Sequence, residues 1–281
     1  MIVDSHQHFW IASRGDYHWM DPHTVPILCR DYLPADLSPL LRRAGVDRTI
    51  LVQAAQTEAE TDFLLALAER TEFVAGVVGW LDMEAEDFEQ KLAAYRKRPK
   101  FRGLRPMLQD LDDDDWILRP TVLRNLACLA EQRFPFELLT YTRHLPHVLT
   151  ALERTPDLHA AIDHLSKPPI AAGTIEPWRG FMTRIAEHQN VSCKLSGMIT
   201  EARHDSWTPA DLQPYVDHAF SAFGVDRLMF GSDWPVCLLA GSYGDVVNAL
   251  RAILGPRLDA GATAKIFGGN AVGFYGLGDP A

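Results

Sequence analysis

Short apolar runs rich in Val, Ile, Leu and Phe alternate along this chain with longer stretches in which apolar side chains recur every three or four residues. The first pattern marks strands buried on both faces, and the second marks helices with one buried stripe. Eight runs read as strands: 2–9, 49–54, 74–81, 101–106, 136–141, 158–164, 191–196 and 227–233. Helical spacing fills the intervals at 35–44, 59–70, 87–97, 121–132, 145–154, 178–187, 209–223 and 243–253. Leu64, Leu67 and Ala68 share one helix face, as do Leu123, Leu126 and Ala127. Strand–helix units repeated eight times predict an α/β chain closed into a (β/α)8 TIM barrel, rather than an open doubly wound sheet. No Gly-x-Gly-x-x-Gly follows an early strand, which also speaks against a dinucleotide fold. No Ser/Gly/Pro-rich linker divides the chain, so 1–281 reads as one domain. Irregular segments at 11–34 and 110–120 follow the first and fourth strands, where a barrel builds its active site.

Composition narrows the class of partner. The net charge of −10 comes from 37 acids against 27 bases, with no basic stripe to neutralise a phosphate backbone. Nucleic acid is therefore not expected as a partner, and a small molecule is. Asp112 to Asp115 read as a solvated loop, since adjacent carboxylates repel. The apolar runs are too short to cross a bilayer, and Asp4 sits where a signal peptide would be basic, so a cytoplasmic protein without membrane contact is expected. Four cysteines lie far apart with no Cys-x-x-Cys pair, and read as reduced and mostly buried. A homo-oligomer is left open.

Candidate chemistry collects at the strand ends. By strict alternation Asp4, His6 and His8 share one face of the first strand. The last strand ends in Gly-Ser-Asp, where Asp233 either caps the next helix or stands at the barrel mouth beside the first strand. His164 ends the sixth strand and Lys194 lies on the seventh, while Gln53 and Arg105 end the second and fourth. Such convergence suits a site for a polar small molecule. Arg105, Gln53, Trp19, Trp80 and Tyr141 are candidates for binding it, although both tryptophans also suit plain packing, and Lys167 suits substrate or solvent equally.

With Asp-x-His-x-His at 4–8, DHLSKP at 163–168 and GSDWP at 231–235, the chain resembles the amidohydrolase superfamily. YHWMDP at 17–22, GLRP at 103–106, KLSG at 194–197 and IFGGNA at 266–271 bring it nearer the branch of metal-independent sugar-lactone and pyrone-dicarboxylate lactonases. The resemblance implies a hydrolase that opens a sugar lactone, such as an L-fucono-1,5- or 1,4-lactone or a related L-sugar lactone. In that role Asp233 activates water, and His6, His8 and His164, assisted by Lys194, hold the carbonyl and its oxyanion. Superfamily members commonly hold one or two divalent metals. Here strand five ends in Tyr141 without a histidine and strand four offers Arg105, which argues against a binuclear site. One zinc held by His6, His8, His164 and Asp233 is chemically reasonable, but the branch implies that no metal is required. The rival readings are a zinc-dependent decarboxylase of the same superfamily, a pyrone- or muconolactone-type lactonase, and a silent sugar-acid-binding barrel. An aromatic-dicarboxylate substrate would call for several arginines at the mouth, and only Arg105 is placed there.

Overall fold

Val3, Ile50, Val52, Val78, Ala161 and Met229 come from five different strands, yet they form one small buried cluster separate from the main core. That cluster is the inside of a barrel. The computed structural model describes residues 1–255 and 257–278. Its strands are β1 (Val3–Gln7), β2 (Arg48–Val52), β3 (Val74–Gly79), β4 (Phe101–Leu104), β5 (Phe136–Leu138), β6 (Ala160–Ile162), β7 (Val191–Leu195) and β8 (Leu228–Phe230). All are parallel and follow one another in sheet order, and the isolated pairing of Gln7 with Trp234 brings the ends together. The larger core lies between the strands and an outer layer of helices, to which alternate residues such as Leu51, Val77, Cys193 and Leu195 turn.

The helices are α1 (Pro34–Ala44), α2 (Glu58–Glu69), α3 (Phe88–Tyr95), α4 (Pro120–Glu131), α5 (Leu145–Arg154), α6 (Trp178–Ala186), α7 (Met198–Glu201), α8 (Pro209–Phe223), α9 (Tyr243–Leu254), α10 (Ala260–Ala264) and α11 (Asn270–Phe274). Their starts follow local chemistry. Thr57 accepts from the Glu60 N–H before α2, and Ser242 and Asp245 cap each other before α9. The eight helices expected from periodicity are present with ends within two residues, whereas α7, α10 and α11 are short additions that the pattern did not disclose. Ala271, Phe274, Tyr275 and Leu277 join the inner cluster, so the C-terminal segment plugs the barrel interior. No helix among the described residues is long and apolar enough to cross a membrane.

Two sequence expectations need correction. Every strand is shorter at its C-terminal end than its apolar run suggested, because those residues leave the ladder to form the mouth. The face assigned to Asp4 is also wrong. The register shifts between Asp4 and Gln7, so two residues of β1 oppose one of β2, a bulge that interrupts strict alternation. Asp4 therefore turns outward, accepting from the Tyr243 hydroxyl of α9 at 3.1 Å, while His6 turns inward. Asp4 also accepts from the backbone N–H groups of His6 and Ser232, tying β1 to the segment after β8.

Candidate active site

The barrel closes where its chemistry lies. Asp233 N–H donates to the His6 carbonyl at 2.8 Å, and His8 N–H donates to the Trp234 carbonyl at 2.7 Å. These bonds hold the Asp233 carboxylate over the two histidines, with Oδ1 3.3 Å from His8 Nε2 and 3.8 Å from His6 Nε2. His164 Nε2 approaches the same oxygen at 3.8 Å. Asp233 has φ of 56°, a left-handed conformation that Asp tolerates better than most residues. Gly231, two residues before it, has no room for a side chain: a Cβ there would lie 2.9 Å from His6 Cβ.

His164 comes from an unusual turn. Residues His164, Leu165, Ser166 and Lys167 all have positive φ, between 47° and 56°. Left-handed backbone costs non-glycine residues roughly 1–2 kcal/mol each, so this turn persists because its surroundings hold it. The Trp178 indole donates to the Leu165 carbonyl, Thr140 Oγ1 lies 2.5 Å from Ser166 Oγ, and Lys167 N–H closes on the His164 carbonyl. The turn ends the sixth strand early and directs His164 and Lys167 into the mouth. The KLSG motif supports it from β7: Ser196 Oγ is 2.8 Å from His164 Nδ1, and Gly197, at φ of 62°, lies under the ring, where a Cβ would be 2.7 Å away.

Beneath the mouth lies a fully buried ionic layer. Lys194 Nζ pairs with Glu137 Oε2 at 2.6 Å and Asp163 Oδ1 at 3.0 Å, and also reaches His6 Nδ1 at 3.0 Å. Arg105 Nη1 lies 3.3 Å from Asp163 Oδ2, and its other terminal nitrogen donates to the Gln53 carbonyl, while Gln53 Nε2 donates back to the Arg105 carbonyl at 2.6 Å. Tyr275, from the plug, donates to Glu137. Burial and the neighbouring Asp163 charge push Glu137 up to about 7, against the opposing pull of Lys194 and Tyr275. For Asp163 burial acts upward, but Lys194, His6 and Arg105 outweigh it and hold the carboxyl well below its usual range.

A backbone partner assigns the proton on one imidazole, that of His8. Burial lowers all three histidines below the ordinary imidazole value, with the Lys194 charge adding to the effect at His6. His8 Nδ1 donates to the Val52 carbonyl at 2.8 Å, leaving Nε2 as an acceptor. His6 Nδ1 lies 3.0 Å from the Lys194 ammonium, and its Nε2 lies 3.2 Å from His8 Nε2 and 3.3 Å from Arg105 Nη1. Asp233 is pushed up by burial, but His164 and Lys167 beside it more than offset this and hold it below the usual carboxylate value, ionised at neutral pH.

A cavity of about 180 Å³ opens above this cluster. Its polar lining is His8, Arg105, Gln109, His164, Lys167 and Asp233, and its apolar lining includes Trp19, Val25 and Leu28 from the loop after β1 and Val236 and Leu239 after β8. Of the residues singled out in the sequence, His8, His164, Asp233, Arg105, Lys167 and Trp19 face this cavity. His6, Lys194 and Gln53 do not: they lie fully buried, His6 against His8 and Asp233, Gln53 against Arg105, and Lys194 against His6. Trp80 and Tyr141 are outside the lining; Tyr141 lies under Lys167, whose Nζ is 5.3 Å from the ring centre. The loop at 110–120 takes no part in the lining, and two of its acids pair with arginines, Asp113 with Arg119 and Asp114 with Arg143.

Sequence reasoning missed Glu137, Asp163's pairing role, Gln109 and Glu60. Gln109 lines the cavity with a buried Oε1 that has no partner, an acceptor available to a hydroxyl. Glu60 is buried and accepts from the N–H groups of Ala54 and Ala55, fixing the loop whose Ala54 carbonyl receives the Trp19 indole N–H. Burial raises Glu60 to about 7 despite those bonds. A carboxyl with a folded pKa above its unfolded value favours folding fully below the unfolded pKa, and the contribution is lost as pH rises through the folded one. Glu60→Gln removes this dependence. Between pH 4.5 and 8 its stability should gain on the wild type by up to about 3 kcal/mol, read from thermal unfolding of both proteins at each pH. A gap that does not change with pH would contradict the assignment.

Residues 3–277 match the family described as Amidohydrolase. The chain belongs to that family. This amidohydrolase is 44% identical to an L-fucono-1,5-lactonase of Burkholderia ambifaria, over 99% of this chain and 97% of the relative. It is 37% identical to an L-fucono-1,5-lactonase of Burkholderia multivorans, with coverage of 99% and 97%. Among solved structures, a Burkholderia multivorans amidohydrolase with bound zinc superposes with a TM-score of 0.94 at 36% identity, covering 99% of this chain and all of the other.

Three donors of this amidohydrolase stand at a spacing that suits a single metal ion. Ligand atoms of His6, His8 and Asp233 lie within 4.8 Å of one another; the His6–His8 and His8–Asp233 separations of 3.2 and 3.3 Å match the edge of a tetrahedron with bonds of roughly 2.0 Å, and His6–Asp233 at 3.8 Å is longer. Spacing suits an ion, and the fixed positive charges beside His6 oppose it. Lys194 Nζ stands 3.0 Å from His6 Nδ1, and Arg105 Nη1 stands 3.3 Å from His6 Nε2, the atom that would face the ion.

Proposed function

We propose that this amidohydrolase opens sugar lactones, with L-fucono-1,5-lactone as its leading substrate, and that turnover does not depend on a resident metal. The observation that carries the chemistry is Asp233: an ionised carboxylate set between His8 and His164, facing a cavity that also holds the Arg105 and Lys167 cations. The L-fucono-1,5-lactonases related to this chain along its whole length support the substrate class.

Asp233 takes a proton from water, whose oxygen attacks the lactone carbonyl carbon. The carbonyl oxygen gains the negative charge, and Arg105, His164 and Lys167 are the cavity groups placed to donate to it. Collapse breaks the bond from the carbonyl carbon to the ring oxygen, and Asp233 returns its proton to the departing alkoxide. Water is consumed, and the new acid ionises with release of one proton per turnover. His6 and Lys194 serve as positioning residues below, holding the His8 and Asp233 orientations. Gln109 is placed to receive a sugar hydroxyl. A zinc held by His6, His8, His164 and Asp233 would polarise the carbonyl if bound, but no step above requires it.

The test is proton release on adding L-fuconolactone, followed with a pH indicator. Turnover well above the buffer rate is expected; lactones left unhydrolysed, with decarboxylation of an aromatic acid instead, would overturn the reading. Gly197→Ala should impair this turnover by tenfold or more, because the new methyl group displaces the His164 ring. It should also cost roughly 1–2 kcal/mol in thermal stability from its left-handed backbone. Full activity would show that His164 does not need this position.

A further inference from the structure

The cavity has an apolar corner that the mechanism leaves unused. We infer that this corner, built by Leu28, Val236 and Leu239, receives the C6 methyl of a 6-deoxy-sugar lactone and selects it over the hydroxymethyl analogue; this rests on the sugar-lactone reading above. The short turns Pro26–Leu28 and Val236–Leu239 pack against each other, so their cavity-facing side chains form one continuous surface. Leu28 is fully buried, whereas Val236 and Leu239 are part-exposed and pack on the core from the cavity side. The polar donors Arg105, Gln109 and Lys167 come instead from the segments after β4 and β6.

The chemistry of the ring directs the methyl to this corner. In a 1,5-lactone the leaving ring oxygen is bonded to C5, and C5 carries C6, so the methyl lies two bonds from the atom that Asp233 protonates. Val236 lies three residues beyond Asp233 in a tight turn closed by the Cys237 N–H on the Asp233 carbonyl at 2.9 Å. A ring poised for proton transfer from Asp233 therefore turns its C5 substituent toward Val236 and its neighbours. A methyl there gains burial. A hydroxymethyl must leave its hydroxyl against the carbon side chains of Leu28, Val236 and Leu239.

L-Fuconolactone and L-galactonolactone share ring configuration and differ only in carrying CH3 or CH2OH at C5. The wild type should prefer the first in kcat/KM by about 10- to 100-fold, the range available to an apolar pocket facing an added hydroxyl. Val236→Thr with Leu239→Asn supplies partners for that hydroxyl, and should bring the ratio to about threefold or less, mainly by improving the galactono substrate. The ratio is internal to each preparation, so partial loss of folded protein cancels. If the double variant does not fold, Val236→Thr alone, nearly isosteric and at a part-exposed position, should lower the ratio by severalfold. A wild-type ratio near one, or a ratio unmoved in the variants, would overturn the corner's role while leaving lactone hydrolysis intact. Hydrolysis of neither lactone would overturn the sugar-lactone reading itself, and the corner with it.

Discussion

Asp233→Asn is expected to lower kcat for lactone opening by about 10²–10⁴, the contribution of a positioned general base. Asparagine has the same shape, and it tolerates the left-handed conformation at φ of 56° as well as aspartate does. Its amide can donate to the bare Nε2 of His8, so the cluster loses a charge without losing its geometry. Unfolding stability should therefore change by less than about 1 kcal/mol, which separates a catalytic loss from a folding loss. The paired measurement is single-substrate kinetics by proton release with urea unfolding of the same samples. Near-normal kcat in Asp233→Asn would remove this residue from the base role.

Lys194→Met is expected to produce the largest loss of stability. Glu137 and Asp163, both inaccessible to solvent, share this one ammonium at 2.6 and 3.0 Å. Removing one partner of a buried ionic cluster leaves uncompensated charge and typically costs about 3–5 kcal/mol. Lys194→Met combined with Glu137→Gln removes charge of both signs, and should recover a substantial part of that loss, a coupling that a double-mutant cycle measures directly. Should the single substitution cost under about 1 kcal/mol in urea unfolding, the layer would not be the electrostatic support described here. The same substitution frees His6 Nδ1, so kcat should fall even in the fraction that remains folded.

The repeat of strands and helices was legible because it needs only periodicity. Each apolar run became a strand of the barrel, and the order of the runs became the order of the sheet. What periodicity could not disclose is where the chain departs from it. The bulge in β1 sends Asp4 outward and His6 inward, against strict alternation, and no local residue type announces it. Likewise the left-handed turn from His164 to Lys167 contains no glycine; it is imposed by Trp178 and Thr140, which are distant in sequence.

The candidate site was legible in its polar strand ends, but not in its depth. His6, Lys194 and Gln53 stand on barrel strands or at their ends as expected, yet one level below the cavity, because distance along a strand was not resolved by counting alternate residues. Glu137 was hidden inside a three-residue strand between Phe136 and Leu138, where a carboxylate looks like an interruption of the core. Its partners, Lys194 and Tyr275, are 57 and 138 residues away along the chain. Only the fold brings them together.

In the mechanism proposed for this amidohydrolase, the chain's own residues open the lactone. The most direct measurement is the rate of L-fuconolactone hydrolysis by protein dialysed against a chelator, with metal content determined on the same sample. Full rate at far less than one metal ion per chain is the predicted result. Activity that disappears with the metal and returns in proportion to added zinc would contradict it, and would make His6, His8, His164 and Asp233 ligands first.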